Sequence, residues 1–103
     1  MDTLNIAFFQ EREGQTFSVP ITDQEPYDLL ITSVKPKEHP VAGWESFTVY
    51  FEGSKRGMIE QQTITMSKDD ETITLFLVPV EETEKAFVYE SIFNLKLEAD
   101  PVE

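Results

Sequence analysis

Residues Thr72 to Asn94 read TITLFLVPV, then EETEK, then AFVYESIFN. Two runs rich in β-branched and aromatic residues flank a short charged loop, the sequence pattern of a β-hairpin. The first run starts as an alternation and becomes apolar on both sides at Leu75 to Val78, which predicts a strand placed centrally in its sheet. Pro79 has no N–H to donate, so it belongs at the end of that strand or at a bulge. The second run, extended to Leu97, puts Phe87, Tyr89, Ser91, Phe93 and Leu95 on one face and Val88, Ile92 and Asn94 on the other.

Further strands are written upstream of the hairpin. Glu45 to Glu52 alternates cleanly, with Phe47, Val49 and Phe51 on one face and Ser46, Thr48 and Tyr50 on the other, as in a half-buried antiparallel strand. Thr16 to Val19 sets Phe17 and Val19 on one side and ends at Pro20. Asp28 to Lys35 sets Leu30, Thr32 and Val34 against Leu29, Ile31 and Ser33, and Gln61 to Met66 puts Ile64 and Met66 together. Ile21 to Tyr27, Pro36 to Gly43 and Gly53 to Gly57 read as connections, Lys68 to Asp70 as a turn, and the tail from Glu98 as frayed. At the start, Asn5 is a candidate cap for a short helix through Glu13, with Gly14 as its stop and Phe8 and Phe9 turned inward. A strand over Leu4 to Phe9 is the alternative. Six β segments without strand–helix alternation predict a small antiparallel barrel or sandwich with one short N-terminal helix.

Composition narrows the class. The 103 residues are 40% apolar, with eight Phe, three Tyr and one Trp. Such a chain is globular and has the size of one domain, 1–103, able to fold without a staple. It has no cysteine, which excludes disulfides and thiolate metal sites. The opening residues lack a basic n-region and apolar core, and the longest apolar run, Leu75 to Val80, falls far short of the roughly 20 residues needed to cross a bilayer. Synthesis in the cytoplasm is the expectation.

Charge is the one extreme property, with 20 acidic residues against 8 basic and a net charge of −12. Direct nucleic-acid binding and an anionic membrane surface are disfavoured, because both draw on Lys and Arg. A protein that mimics DNA needs rows of carboxylates, and alternate residues on a strand lie about 6.6 Å apart, close to a phosphate spacing. Here Asp69 to Glu71 and Glu81, Glu82 and Glu84 cluster in candidate turns instead, where they serve solubility and protect strand edges.

The catalytic inventory is thin. His39, the one histidine, sits between Glu38 and Pro40 in a loop with no nucleophile motif near it. Asp69 to Glu71 lacks calcium-loop spacing. Glu90, between Tyr89 and Ser91, reads as solvent-facing or paired across the sheet. No enzyme activity, cofactor or metal is expected. For binding, Trp44 at a loop-to-strand junction and Tyr50 on the face away from Phe47 are candidate anchors of the kind enriched at interfaces; the alternative is burial of both in the second layer of a sandwich. The loop Lys35 to Gly43, carrying His39, lies beside Trp44, which makes His39, Trp44 and Tyr50 the candidate partner-binding residues.

Leu75 to Val80, followed by Tyr89 to Asn94, resembles the C-terminal signature of a small bacterial domain family of unassigned function. Glu45 to Phe51 resembles its preceding strand, and Phe9 with Gly14 to Phe17 its opening. That family has a Gln-Gly-x-Tyr-like segment, then a histidine and a glycine, before the Leu-Phe-Leu run. This chain has Gln61, Gln62, Thr63 and Ile64, then neither histidine nor glycine, so no role resting on that histidine transfers. The family is often encoded beside phage tail-collar-type proteins. The resemblance therefore implies a non-enzymatic structural or interaction module in a phage-tail-like or fibre-like assembly, with a collar or fibre-type protein as partner and incorporation into a particle; a homo-oligomer stays open. The alternative expectation is an acidic inhibitor or DNA mimic that binds a nucleic-acid-binding protein.

Overall fold

The computed structural model describes residues 4–20, 26–39, 41–55 and 57–96. One helix and six strands follow in the order α1 (Ile6–Gln10), β1 (Thr16–Val19), β2 (Tyr27–Pro36), β3 (Trp44–Gly53), β4 (Gln62–Lys68), β5 (Glu71–Glu82) and β6 (Phe87–Lys96). The strands close into a barrel in the order β1-β2-β3-β6-β5-β4, every pairing antiparallel. Of the two architectures open from the sequence, this is the barrel. The expected connection over Ile21 to Tyr27 lies outside the described residues except for its last two, and the tail from Glu98 lies wholly outside them.

The period of two decides what fills the barrel. Phe17 and Val19, Leu29 and Ile31, Phe47, Val49 and Phe51, Ile64 and Met66, Ile73, Leu75 and Leu77, and Tyr89 all point inward and are buried. Two bulges modify the rule. Ile31 pairs with Phe51 but Ser33 pairs with Tyr50, so Thr32 is an extra residue, and the slip carries Val34 to the inside with Leu29 and Ile31. The expected grouping of Val34 with Leu30 and Thr32 is thereby corrected, because an inserted residue inverts the alternation beyond it. The second bulge falls between Pro79 and Glu81, where Val80 is the extra residue. That is the place a proline without an N–H favours.

The reading of β5 as buried on both faces is also corrected. Leu75 and Leu77 face inward, whereas Phe76 is exposed on the outer wall. In a closed ring every strand has two neighbours and no strand is more central than another. Nothing in the described residues covers the outside.

Helix α1 closes one end. Asn5 caps it, its side chain accepting from the Phe8 N–H at 2.9 Å, and Gly14, at φ +87°, ends the following turn in the left-handed conformation that glycine adopts without strain. Phe9 is fully buried, with its ring 6.0 Å from that of Phe47 and 5.0 Å from that of Phe93. Three carboxylates tie this segment to the barrel. Glu45 accepts the Ile6 N–H, Glu13 accepts the Val34 N–H, each at 2.9 Å, and Glu71 takes a two-pronged grip from Arg12. Its hydrogen bonds from Arg12 hold the Glu71 carboxyl below the usual carboxylate value of 4.5, helped by the charge of Arg12 and then of Lys68.

The other end is closed by hydroxyls. The Tyr27 hydroxyl donates to the Ser54 carbonyl at 2.7 Å, so in the 3.0 Å contact between the two tyrosines the proton comes from Tyr89. Tyr89 in turn accepts the Ile59 N–H at 2.9 Å, which anchors the β3–β4 connection over the barrel mouth. Gly53 makes room for this arrangement. A Cβ there would stand 2.4 Å from the Tyr27 ring.

Candidate interaction surface

The outer wall of β3, β6, β5 and β4 is built by the same alternation that fills the core. Outward positions are Ser46, Thr48 and Tyr50 on β3, Val88, Glu90, Ile92 and Asn94 on β6, Thr72, Thr74, Phe76 and Val78 on β5, and Thr63 and Thr65 on β4. Register sets Tyr50 beside Glu90 and Glu90 beside Val78, and Thr48 beside Ile92. Across the remaining pair, Phe76 lies beside Thr63. Ile92 is 60% exposed, Phe76 48% and the bulged Val80 46%.

In a chain of net charge −12, Glu90 is the one carboxylate in the middle of this face; exposed Glu52 points the same way at its edge, beside Val88. The charges gather instead at the rims, with Glu52, Glu81 and Glu82 toward the tyrosine end and Lys96 opposite Trp44. Polar pairs border the apolar centre: the Ser46 hydroxyl donates to the Asn94 side chain at 2.7 Å, and the Thr65 and Thr74 hydroxyls lie 2.9 Å apart. Contiguous apolar surface rimmed by polar groups marks interaction sites on soluble proteins.

Trp44 and Tyr50 stand on this side of β3. The expectation that a second layer would bury both is overturned, since the barrel has a single wall; Trp44 is 40% exposed at the start of the strand and Tyr50 is half-buried. They stand six positions apart along the strand, about 20 Å. The Lys35 ammonium lies over the Tyr50 ring, 5.7 Å from its centroid. His39 is exposed in the loop before β3, at the Trp44 end. The fold thus sets His39 and Trp44 at the rim and Tyr50 within the wall. Sequence reading missed Phe76, Val80 and Ile92 as surface residues; the available signal was Val88 and Ile92 standing at positions of β6 opposite its inward aromatics.

One half-open cleft of about 480 Å³ borders the β4 edge of this wall, sharing Thr63 and Thr65 with it, near the seam where β1 and β4 pair through Ser18 and Ser67. Its lining includes Val19, Pro20, Met58, Ile59, Gln62 and Ile64, and Glu60 is its one ionisable side chain. A lone carboxylate supplies neither an acid–base pair nor a metal ligand set. Among the described residues, no cluster of three or more His, Asp or Glu is placed to hold a metal ion, and no helix is long and apolar enough to cross a membrane.

The family model described as Domain of unknown function (DUF6916) matches residues 4–93, and the chain belongs to that family. No curated protein and no solved structure is significantly similar to the chain.

Proposed function

We propose that this DUF6916 domain is a non-enzymatic interaction module that docks another protein on the outer wall of β3, β6 and β5. The observation that carries the reading is the exposure of Phe76, Val80 and Ile92 on a wall with one carboxylate, Glu90, in its middle and the other charges at its rims, in a chain whose acidic residues outnumber its basic ones 20 to 8. Solvation alone would populate outward strand positions with Thr, Lys and Glu. Exposed β-branched and aromatic side chains there lower solubility unless a partner covers them. Trp44 and Tyr50 supply the aromatic anchors common at such interfaces, with His39 at the rim.

The sequence resemblance to a family encoded beside tail-collar-type proteins supports a phage-tail-like or fibre-like assembly as the setting, with a collar or fibre-type protein as partner. Synthesis in the cytoplasm and later incorporation into the particle follow from that setting. A second reading, an acidic inhibitor or DNA mimic that binds a nucleic-acid-binding protein, rests on the net charge of −12. Salt separates the two. The tagged chain is used to purify partners from its native cell at low and high salt. Retention that survives high salt and is lost in Ile92→Asp supports the docking wall; retention that washes off with salt and ignores Ile92→Asp supports the inhibitor.

A further inference from the structure

We propose that the partner of the outer wall is a different protein whose contacting surface is apolar with an arginine or lysine at its centre, seated on Glu90. The proposal rests on the interaction-module reading and specifies the chemistry of its partner. Glu90 is half-buried in the middle of the wall, flanked in register by Tyr50 on β3 and Val78 on β5, with Val88 and Ile92 the next outward residues on its own strand. Among the described residues it has neither a hydrogen-bond donor nor an ion-pair partner. The closest cationic side chain by register, Lys35, is engaged on the Tyr50 ring.

A surface that covers the outward apolar residues on both sides of Glu90, Ile92 and Val88, also removes Glu90 from water. A carboxylate desolvated without a counter-charge is strongly unfavourable, so the covering surface has to bring a cation to it. A second copy of this chain fits poorly. An isologous pairing about the wall's centre sets two Glu90 carboxylates facing each other and joins two bodies of net charge −12. A basic group on another protein is favoured by the local carboxylate, and an ion pair sealed beneath apolar contacts is screened little by salt. Arginine fits best: its planar fork grips a carboxylate on two oxygens while its face stacks on an aromatic ring, here Tyr50.

The test uses the full chain as wild type, Glu90→Gln, Glu90→Lys and Ile92→Asp, each checked for an unchanged melting curve. The protein retained from native-cell extract is identified, purified and titrated against all four. The expected result is weakening by about 30-fold or more for Glu90→Gln, at least as much for Glu90→Lys, and restored binding of Glu90→Lys when the partner's central basic residue is changed to Glu. Wild-type affinity in both Glu90 variants, with binding lost only in Ile92→Asp, overturns the proposal while the docking wall stands. Equal binding by all four overturns both. Self-association in sedimentation that Ile92→Asp abolishes overturns it in favour of a second copy.

Discussion

The two ends of the barrel are closed by different chemistry. At the helix end a buried phenylalanine plugs the opening, and carboxylates on the periphery hold the plug in place. At the tyrosine end a chain of neutral donors and acceptors runs from the Ile59 N–H through Tyr89 and Tyr27 to the Ser54 carbonyl. The difference teaches where conditions act. The Arg12–Glu71 tie at the solvent boundary responds to pH, whereas the hydroxyl chain is buried between two rings packed edge to face.

The strongest way to break this contrast is Phe9→Ala. The side chain is wholly buried against Phe47 and Phe93, so the truncation leaves a cavity and costs about 3–5 kcal/mol. Denaturant unfolding measures the loss, and hydrogen exchange is expected to show the opening at Val34 and Ile6 before Ile59. Tyr89→Phe probes the opposite end with less force. It leaves the Ile59 N–H without an acceptor and costs about 1–3 kcal/mol; fast exchange at Ile59 with an unchanged helix end is the expected pattern. Fast exchange at both ends would show that they open as one unit.

Acid gives the smallest and most selective effect. The Glu71 carboxyl titrates below its usual 4.5 in the folded chain, so the folded state binds fewer protons than the unfolded state. Its stabilisation is fully present above the usual value and is lost as pH falls through the depressed one. Acidification is therefore expected to loosen the helix end first, seen as earlier exchange of the α1 amides. In Arg12→Ala that acid dependence should shrink, because its principal cause is gone.

Much of the barrel was legible because a strand writes its inward face at every second residue. Phe47, Val49 and Phe51, Ile64 with Met66, and Tyr89 with Ser91 fall on the predicted sides. Asn5 caps the helix as predicted, although the helix ends at Gln10 rather than running through Glu13, with Gly14 closing the turn that follows, and Pro79 marks the β5 bulge. Thr32 carries no such mark. Its bulge is enforced by partners far away in sequence, Phe51 and Tyr50 on one side and the Glu13 carboxylate at the Val34 N–H on the other.

The candidate surface was legible in part. Trp44, Tyr50 and His39 were singled out as residue types, but their separation along β3 and the exposure of Phe76 and Ile92 belong to the closed ring. An apolar residue on a strand reads alike whether its second face meets a packed layer or solvent. The sequence by itself determined the strands, most of their inward faces, the helix cap at Asn5 and the acidic character, all local consequences of backbone sterics and side-chain chemistry. Only the tertiary structure decided that β1 meets β4, that no described residue covers one wall and that Glu90 lies in the middle of that wall, between Tyr50 and Val78. Those outcomes depend on which distant strands pair, and a period of two does not carry that information.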